Sequence, residues 1–254
     1  MLFKQTIVKK PGKSYLNGLT TSDLGEPNYE KLLQQHEEYV KALKSCGVAV
    51  HELEPSEEFP DSCFVEDAAV VVPEFAVITN PGADSRNKEI IEIEEVLKNY
   101  YDEFRYIQGP GTLDGGDVMQ IDKNFYIGIS DRTNQEGANQ LKKILEDAGY
   151  HVTITTLEEF FHLKTGITFL GDQTVVAAGE FINHPAFAEY KKIVVPAEEE
   201  YTANTIRVND NVIVPSGFPE TKQKIEEAGF HVVEVEMTEF QKHDGGLSCL
   251  SLRF

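Results

Sequence analysis

The chain has 254 residues, is 41% hydrophobic and 26% charged, and carries a formal net charge of −20. That length fits one large domain or two small ones and suffices to bury a substantial core. The acidic balance argues against a nucleic-acid surface, since no Lys/Arg cluster offsets phosphate repulsion; it would concentrate a small cationic ligand, and it also reads as serving solubility alone.

Met1–Lys10 has no apolar stretch resembling a signal peptide, and no segment approaches the length of a membrane span. Cys46, Cys63 and Cys249 are an odd number in a chain without an export signal. This predicts free thiols in a reducing cytoplasm.

In chain order, Phe3–Lys9 reads as a strand. Tyr29–Ser45 reads as a helix, with Leu32, Leu33, His36, Tyr39, Val40 and Leu43 at helical spacing. Hairpins are predicted over Ala68–Thr79, Val118–Ile129, Gly166–Ala178 and Thr205–Pro215. Their turns fall near Pro73-Glu74, Asp122-Lys123-Asn124, Gly171-Asp172-Gln173 and Asn209-Asp210-Asn211. Further helices are predicted over Lys88–Tyr100, Asn134–Ala148, Glu180–Lys192 and Glu220–Ala228, the third interrupted by Pro185.

Glu146–Phe160 is echoed by Glu226–Phe240 at an offset of 80 residues, with a weaker copy at Lys44–Glu54. Each copy is a helix end, a Gly stop and an alternating strand. The unit therefore reads as hairpin, helix, strand, used about five times. Only one strand follows Gly246, and its missing partner is predicted to be Phe3–Lys9. Pairing the two ends gives a closed α/β ring with strands inside and helices outside, and residues 1–254 as a single catalytic domain. The βα alternation by itself also fits an open α/β sheet.

Polar groups stand just before or at the start of each hairpin: Glu66-Asp67, Asp114 to Asp117, His162, Asn204 and Ser248-Cys249. If the units are related by rotation, these groups converge on the axis. Cys249 is then a thiol at the start of the last strand, and a nucleophilic role requires a base or positive charge to lower its pKa. His162 would shuttle a proton, and a carboxylate would orient it. Spare carboxylates beside a thiol match the fork of a guanidinium. Taken one at a time, the Cys also reads as a small buried apolar residue, the His as a core residue and Asp-Gly-Gly as a turn. There is no CxxC, no HExxH and no Gly-rich phosphate loop, so neither a metal nor a cofactor is expected.

Pro60–Asp67, Thr112–Val118, Arg132–Asn134, His162–Thr165 and Asp244–Phe254 closely resemble the motifs of the dimethylarginine dimethylaminohydrolase family, in the same order and nearly end to end. That family belongs to the guanidino-group-modifying enzymes, whose fold is a five-fold pseudosymmetric α/β propeller, the pentein fold. The resemblance implies hydrolysis of Nω-methylated arginine to citrulline and dimethylamine or methylamine. It implies Cys249 as nucleophile on the guanidinium carbon, His162 as proton donor and then base, and Asp114 as the carboxylate that orients His162. It also implies that Glu66 and Asp67 hold the guanidinium, Asp61 the α-amino group, and Arg86 and Arg132 the α-carboxylate. The Gly18–Thr21 segment around Leu19 would be a lid.

Without the motif match, Arg86 and Arg132 read as ordinary surface charges, Asp61 and Asp67 as turn caps, and Leu19 as core. Two departures from the family pattern stand out. Asp114 is one methylene shorter than the Glu of some bacterial members. His243 occupies a position where an aliphatic residue, touching substrate through its carbonyl, is expected; its imidazole would tune the thiolate or, with Cys249, bind an adventitious metal. Cys63 reads as structural. The expected partner is a small cationic amino acid, with no nucleic acid and no membrane, and a homodimer is compatible with the resemblance. The alternatives are an arginine deiminase, which usually carries a helical insertion for which this chain has no room, and a non-enzymatic cationic amino-acid binder, which needs neither Cys249 nor His162.

Overall fold

The computed structural model describes residues 2–254. It begins with β1 (Gln5–Lys9), α1 (Tyr29–Ser45) and β2 (Ala49–Leu53). α1 starts where the Asn28 side chain accepts the Lys31 N–H, and it buries the apolar stripe read from the sequence. The second set is β3 (Ala69–Val71), β4 (Ala76–Ile78), α2 (Ile90–Leu97) and β5 (Phe104–Tyr106). The third is β6 (Val118–Ile121), β7 (Asn124–Ile129), α3 (Gln135–Asp147) and β8 (His151–Thr156). After the single turn α4 (Leu163–Gly166) come β9 (Ile167–Gly171), β10 (Thr174–Ala177) and β11 (Lys191–Val194). The chain ends with β12 (Ile206–Val208), β13 (Asn211–Pro215), α5 (Pro219–Glu227), β14 (His231–Val235), α6 (Thr238–Gln241) and β15 (Leu252–Arg253).

These strands form five three-stranded sheets with one shared grammar. In four of them the first two strands run antiparallel as a hairpin, and the third returns parallel to the second. The four predicted hairpins are present. Their turns place Asp122, Asp172, Gln173 and Asn209 at φ between 49° and 57°, a region that Asp and Asn tolerate better than most residues.

The remaining sheet joins the two ends of the chain: β15 pairs antiparallel with β1, and β1 pairs parallel with β2. The Lys4 and Gln5 N–H groups both donate to the Phe254 carbonyl, at 2.9 and 2.8 Å. The tail is therefore locked into the succession of sheets, as the ring requires. The predicted helix over Glu180–Lys192 does not form. Two short 3₁₀ turns, Gly179–Ile182 and Pro185–Phe187, take its place, and β11 starts at Lys191. Pro185 lacks the N–H that a helix would use, and fully buried Phe181 and Phe187 hold the turns down.

All five first strands (β3, β6, β9, β12 and β15) line one cavity of about 740 Å³, which marks the axis of the pseudo-fivefold arrangement. The chain segments leading into those strands bring the polar clusters to one end of that axis: Val65–Ala68, Gly115–Asp117, Leu163–Gly166, Ala197–Ala203 and the turn at 247–250. Among the described residues, no helix is long and apolar enough to cross a membrane.

Candidate active site

The Cys249 turn is held at several of its backbone groups. Tyr201 Oη donates to the Gly245 carbonyl at 2.7 Å, and Tyr39 Oη to the Leu247 carbonyl at 2.8 Å. The Asn204 side chain accepts the Ser248 N–H at 2.9 Å and donates to the Lys164 carbonyl at 2.9 Å, tying this turn to the one that carries His162. The Glu66 N–H donates to the Cys249 carbonyl at 3.1 Å. Gly246 permits the approach, because a Cβ there would lie 2.5 Å from Asn204 Cγ. Cys249 is thus not the first residue of a strand, as read from the sequence. It lies in a turn ahead of β15, the place equivalent to the other polar clusters.

His162 is buried and stands 3.5 Å, Nε2 to Oδ2, from buried Asp114. The other Asp114 oxygen accepts the Gly82 N–H at 2.8 Å, which fixes the carboxylate. Asp117 Oδ1 accepts the Leu163 N–H at 3.0 Å, and its Oδ2 takes the Ser130 and Thr133 hydroxyls at 2.7 and 2.6 Å. Burial alone would lower the imidazole pKa. Asp117, Asp114 and Asp67 together outweigh burial and raise it to about 9, so His162 is held protonated at neutral pH. The Asp-Gly-Gly-Asp segment is more than a turn: a Cβ at Gly116 would lie 2.6 Å from His162 Nδ1 and 3.0 Å from Asp67 Oδ1.

Asp67 Oδ1 accepts the Gly116 N–H at 2.8 Å, and its Oδ2 pairs with Arg86 Nη1 at 2.7 Å. Burial opposes its ionisation, but Arg86 and then His162 prevail and hold its pKa below the ordinary value. Burial pushes the Cys249 thiol up to about 12, reinforced by Glu66 and Asp67 and only partly offset by Lys164. Folding therefore raises the thiol pKa where a nucleophile calls for a lowered one, chiefly through burial, with Glu66 and Asp67 adding to it.

A cavity of about 150 Å³ collects these groups. Its lining includes Cys249, His162, Asp114, Asp67, Asp61, Arg86, Arg132, His243 and Leu19. Asp61 is buried, and its Oδ1 accepts the Leu19 N–H at 3.0 Å. Leu19 itself is 44% exposed, at the mouth rather than in the core. The Arg132 guanidinium lies 5.2 Å over the Phe161 ring and has no carboxylate within ion-pair distance among the described residues. The His243 ring stacks on Tyr15 at 4.8 Å, and burial lowers its pKa.

Two predicted binding residues are placed differently. Glu66 does not line this cavity. Its Oε1 pairs with Lys164 Nζ at 2.7 Å and Arg253 Nη2 at 3.2 Å, and it borders the axial cavity from behind Cys249. Arg86 lines the site, yet Nε, Nη1 and Nη2 all donate within the protein, to Glu89, Asp67 and the Asp61 and Phe64 carbonyls. Its first task is to hold Asp67.

Sequence reading missed Phe64 and Phe161 as walls and Asp244 as a clasp. Asp244 Oδ2 accepts the Thr21 N–H at 2.6 Å and both the Thr20 and Thr21 hydroxyls, pinning the Leu19 segment to the Cys249 loop. Only its position five residues before the thiol hinted at such a role. Asp67, Asp114 and His162 offer ligand atoms within 4.8 Å of one another. Asp67 uses both oxygens within the protein, on the Gly116 N–H and on Arg86. Neither His243 nor Cys249 belongs to that cluster.

Known proteins resemble this chain along its whole length. The family model for eukaryotic N,N dimethylarginine dimethylhydrolase matches residues 20–252. The chain is 46% identical to the N(G),N(G)-dimethylarginine dimethylaminohydrolase of Pseudomonas aeruginosa over all of both chains. It is 33% identical to the enzyme of that name from Streptomyces coelicolor, covering 98% of this chain and 96% of that one. A solved structure of the Pseudomonas aeruginosa enzyme, a Cys-to-Ser mutant complexed with citrulline, superposes with a TM-score of 0.99 at 45% identity over all of both chains. The chain belongs to the dimethylarginine dimethylaminohydrolase family.

Proposed function

We propose that this protein hydrolyses Nω-methylated arginine to citrulline and dimethylamine or methylamine, with Cys249 as nucleophile and His162 as acid and base. The observation that carries the reading is the convergence of a buried thiol, a protonated imidazole and paired carboxylates on one small cavity. The Pseudomonas aeruginosa relative that binds citrulline supports it.

The substrate's guanidinium sits between Asp67 and Asp114. Asp61 receives the α-ammonium, and Arg132 receives the α-carboxylate with Arg86 behind it. The Leu19 segment covers the amino-acid end, clasped by Asp244. The positive charge of the arriving guanidinium favours the thiolate over the buried thiol, and Cys249 releases its proton to solvent when the electrophile is in place. Sγ then bonds to the guanidinium carbon. The C–N bond to the methylated nitrogen breaks, and that nitrogen takes the His162 proton and leaves as the amine. The S-alkylthiouronium remaining on Cys249 is attacked by water, whose proton passes to the now neutral His162. The C–S bond breaks as the remaining hydroxyl proton passes to the departing sulfur, restoring the Cys249 thiol and releasing citrulline.

The five units act as one catalytic domain, and the odd thiol count fits a cytoplasmic enzyme. Incubation with asymmetric dimethylarginine, followed by quantitation of both products, tests the reading. Citrulline and dimethylamine should appear in equal amounts with the parent protein and not with Cys249→Ser. Absence of both from the folded parent protein overturns it.

A further inference from the structure

We propose that Arg253, the penultimate residue, is a positioning residue for this reaction: it fixes the nucleophile's turn against the turn that carries the proton donor. The inference rests on the function proposed above. Arg253 Nη1 donates to the Ser248 carbonyl at 3.4 Å and to the Ser251 carbonyl at 3.1 Å, which brackets Cys249 from both sides. Nη1 also reaches the Ser251 hydroxyl. Nη2 pairs with Glu66 Oε1 at 3.2 Å, and the same oxygen binds Lys164 Nζ at 2.7 Å. Lys164 lies two residues after His162, in α4.

The guanidinium fork is thus a strut from the thiol's turn to Glu66, and Glu66 passes the constraint to the His162 turn. All three side chains are largely shielded, with relative exposures of 13% for Arg253, 4% for Glu66 and 17% for Lys164, so water competes weakly for them. Arg253 does not line the substrate cavity. It acts through geometry, not by touching substrate. Its own place is set by β15, whose pairing with β1 depends on the closure of the chain ends.

Arg253→Met keeps the apolar stem and removes the fork. Arg253→Lys keeps the charge but cannot span the carbonyls and Glu66 together. For Arg253→Met the expectation is a fall in kcat of about 10²-fold, the order of loss that a small misplacement of reacting groups produces. KM for asymmetric dimethylarginine should stay within about threefold of the parent value, because the cavity lining is intact. Arg253→Lys should recover part of kcat and no more. If Arg253→Met is unfolded at the assay temperature, Arg253→Lys decides alone, with a reduced kcat at unchanged KM supporting the proposal. A folded Arg253→Met with parental kcat overturns it, as does a loss carried by KM, or an Arg253→Lys variant with full kcat. An inactive parent protein would instead refute the proposed function, which separates the two failures.

Discussion

Asp117 accepts the backbone N–H of Leu163 at 3.0 Å while its other oxygen holds two hydroxyls. One carboxylate at the head of β6 thereby fixes the residue next to His162, in the following unit of the ring. It is also the largest charge raising the imidazole pKa. The same carboxylate thus contributes to both the placement and the protonation of the proton donor.

Asp117→Asn should therefore lower the His162 pKa from about 9 toward its ordinary value of 6.5. An imidazole whose pKa is raised by folding stabilises the protein fully below 6.5, and that stabilisation is lost as pH rises through about 9. The parent melting temperature should thus fall between those pH values, and the fall should be smaller in Asp117→Asn. Mispairing the buried hydroxyls adds a pH-independent cost of about 1 to 3 kcal/mol. Imidazole NMR titration with thermal melts checks both; an unchanged His162 pKa would remove Asp117 from this role.

Cys249 should be a thiol in the free protein at neutral pH, given a pKa pushed to about 12. Thiolate ultraviolet absorbance should be absent then and appear when a guanidinium ligand is bound. Alkylation of the free protein by iodoacetamide should accelerate with rising pH and map to Cys249, since all three thiols are buried with raised pKa values and Cys249 is the one that lines the active cavity. Full thiolate absorbance at neutral pH without ligand would refute substrate-linked ionisation.

His162→Gly should lose about 10² to 10⁴ in rate while retaining substrate binding, since it removes the donor for the leaving amine and the base for water. Intact-mass analysis after a quench should find an adduct on Cys249 that outlives the parent's. Turnover within a few-fold of the parent would exclude His162.

Arg132→Ala and Arg86→Ala should differ. Among the described residues Arg132 has no competing carboxylate, so its loss should raise KM, by about 2 to 5 kcal/mol of binding, and should matter less for a substrate with a blocked α-carboxylate. Arg86→Ala leaves Asp67 and Glu89 buried without their cation and should cost about 3 to 5 kcal/mol of stability as well. Equal effects of Arg132→Ala on blocked and free substrates would show that it does not read the carboxylate.

Much of this was legible in the sequence because it is local. Turn residues such as Asp122 and Asn209 mark hairpins, the stripe from Leu32 to Leu43 marks a helix, and the repeat brings the polar clusters to equivalent places. The parts not legible depend on partners far apart in the chain. Glu66 reads as a substrate carboxylate until Lys164 and Arg253 are found on it, and Arg86 reads as a clamp until Asp67 and Glu89 are. The thiol's high pKa follows from its burial in the assembled fold and then from Glu66 and Asp67, contributed by another unit. The predicted helix at Glu180–Lys192 failed because the apolar spacing there serves two aromatic plugs instead.

The most direct measurement compares kcat/KM for asymmetric dimethylarginine and arginine, followed by citrulline release with chelator present. A pocket shaped for an N-methylated guanidinium leaves space and unpaired acceptors around plain arginine, worth roughly 1 to 3 kcal/mol per missing methyl-sized group. The account predicts a clear preference for the methylated substrate, undiminished by chelator and abolished in Cys249→Ser. A clear preference for plain arginine would contradict it and place the protein with the deiminases.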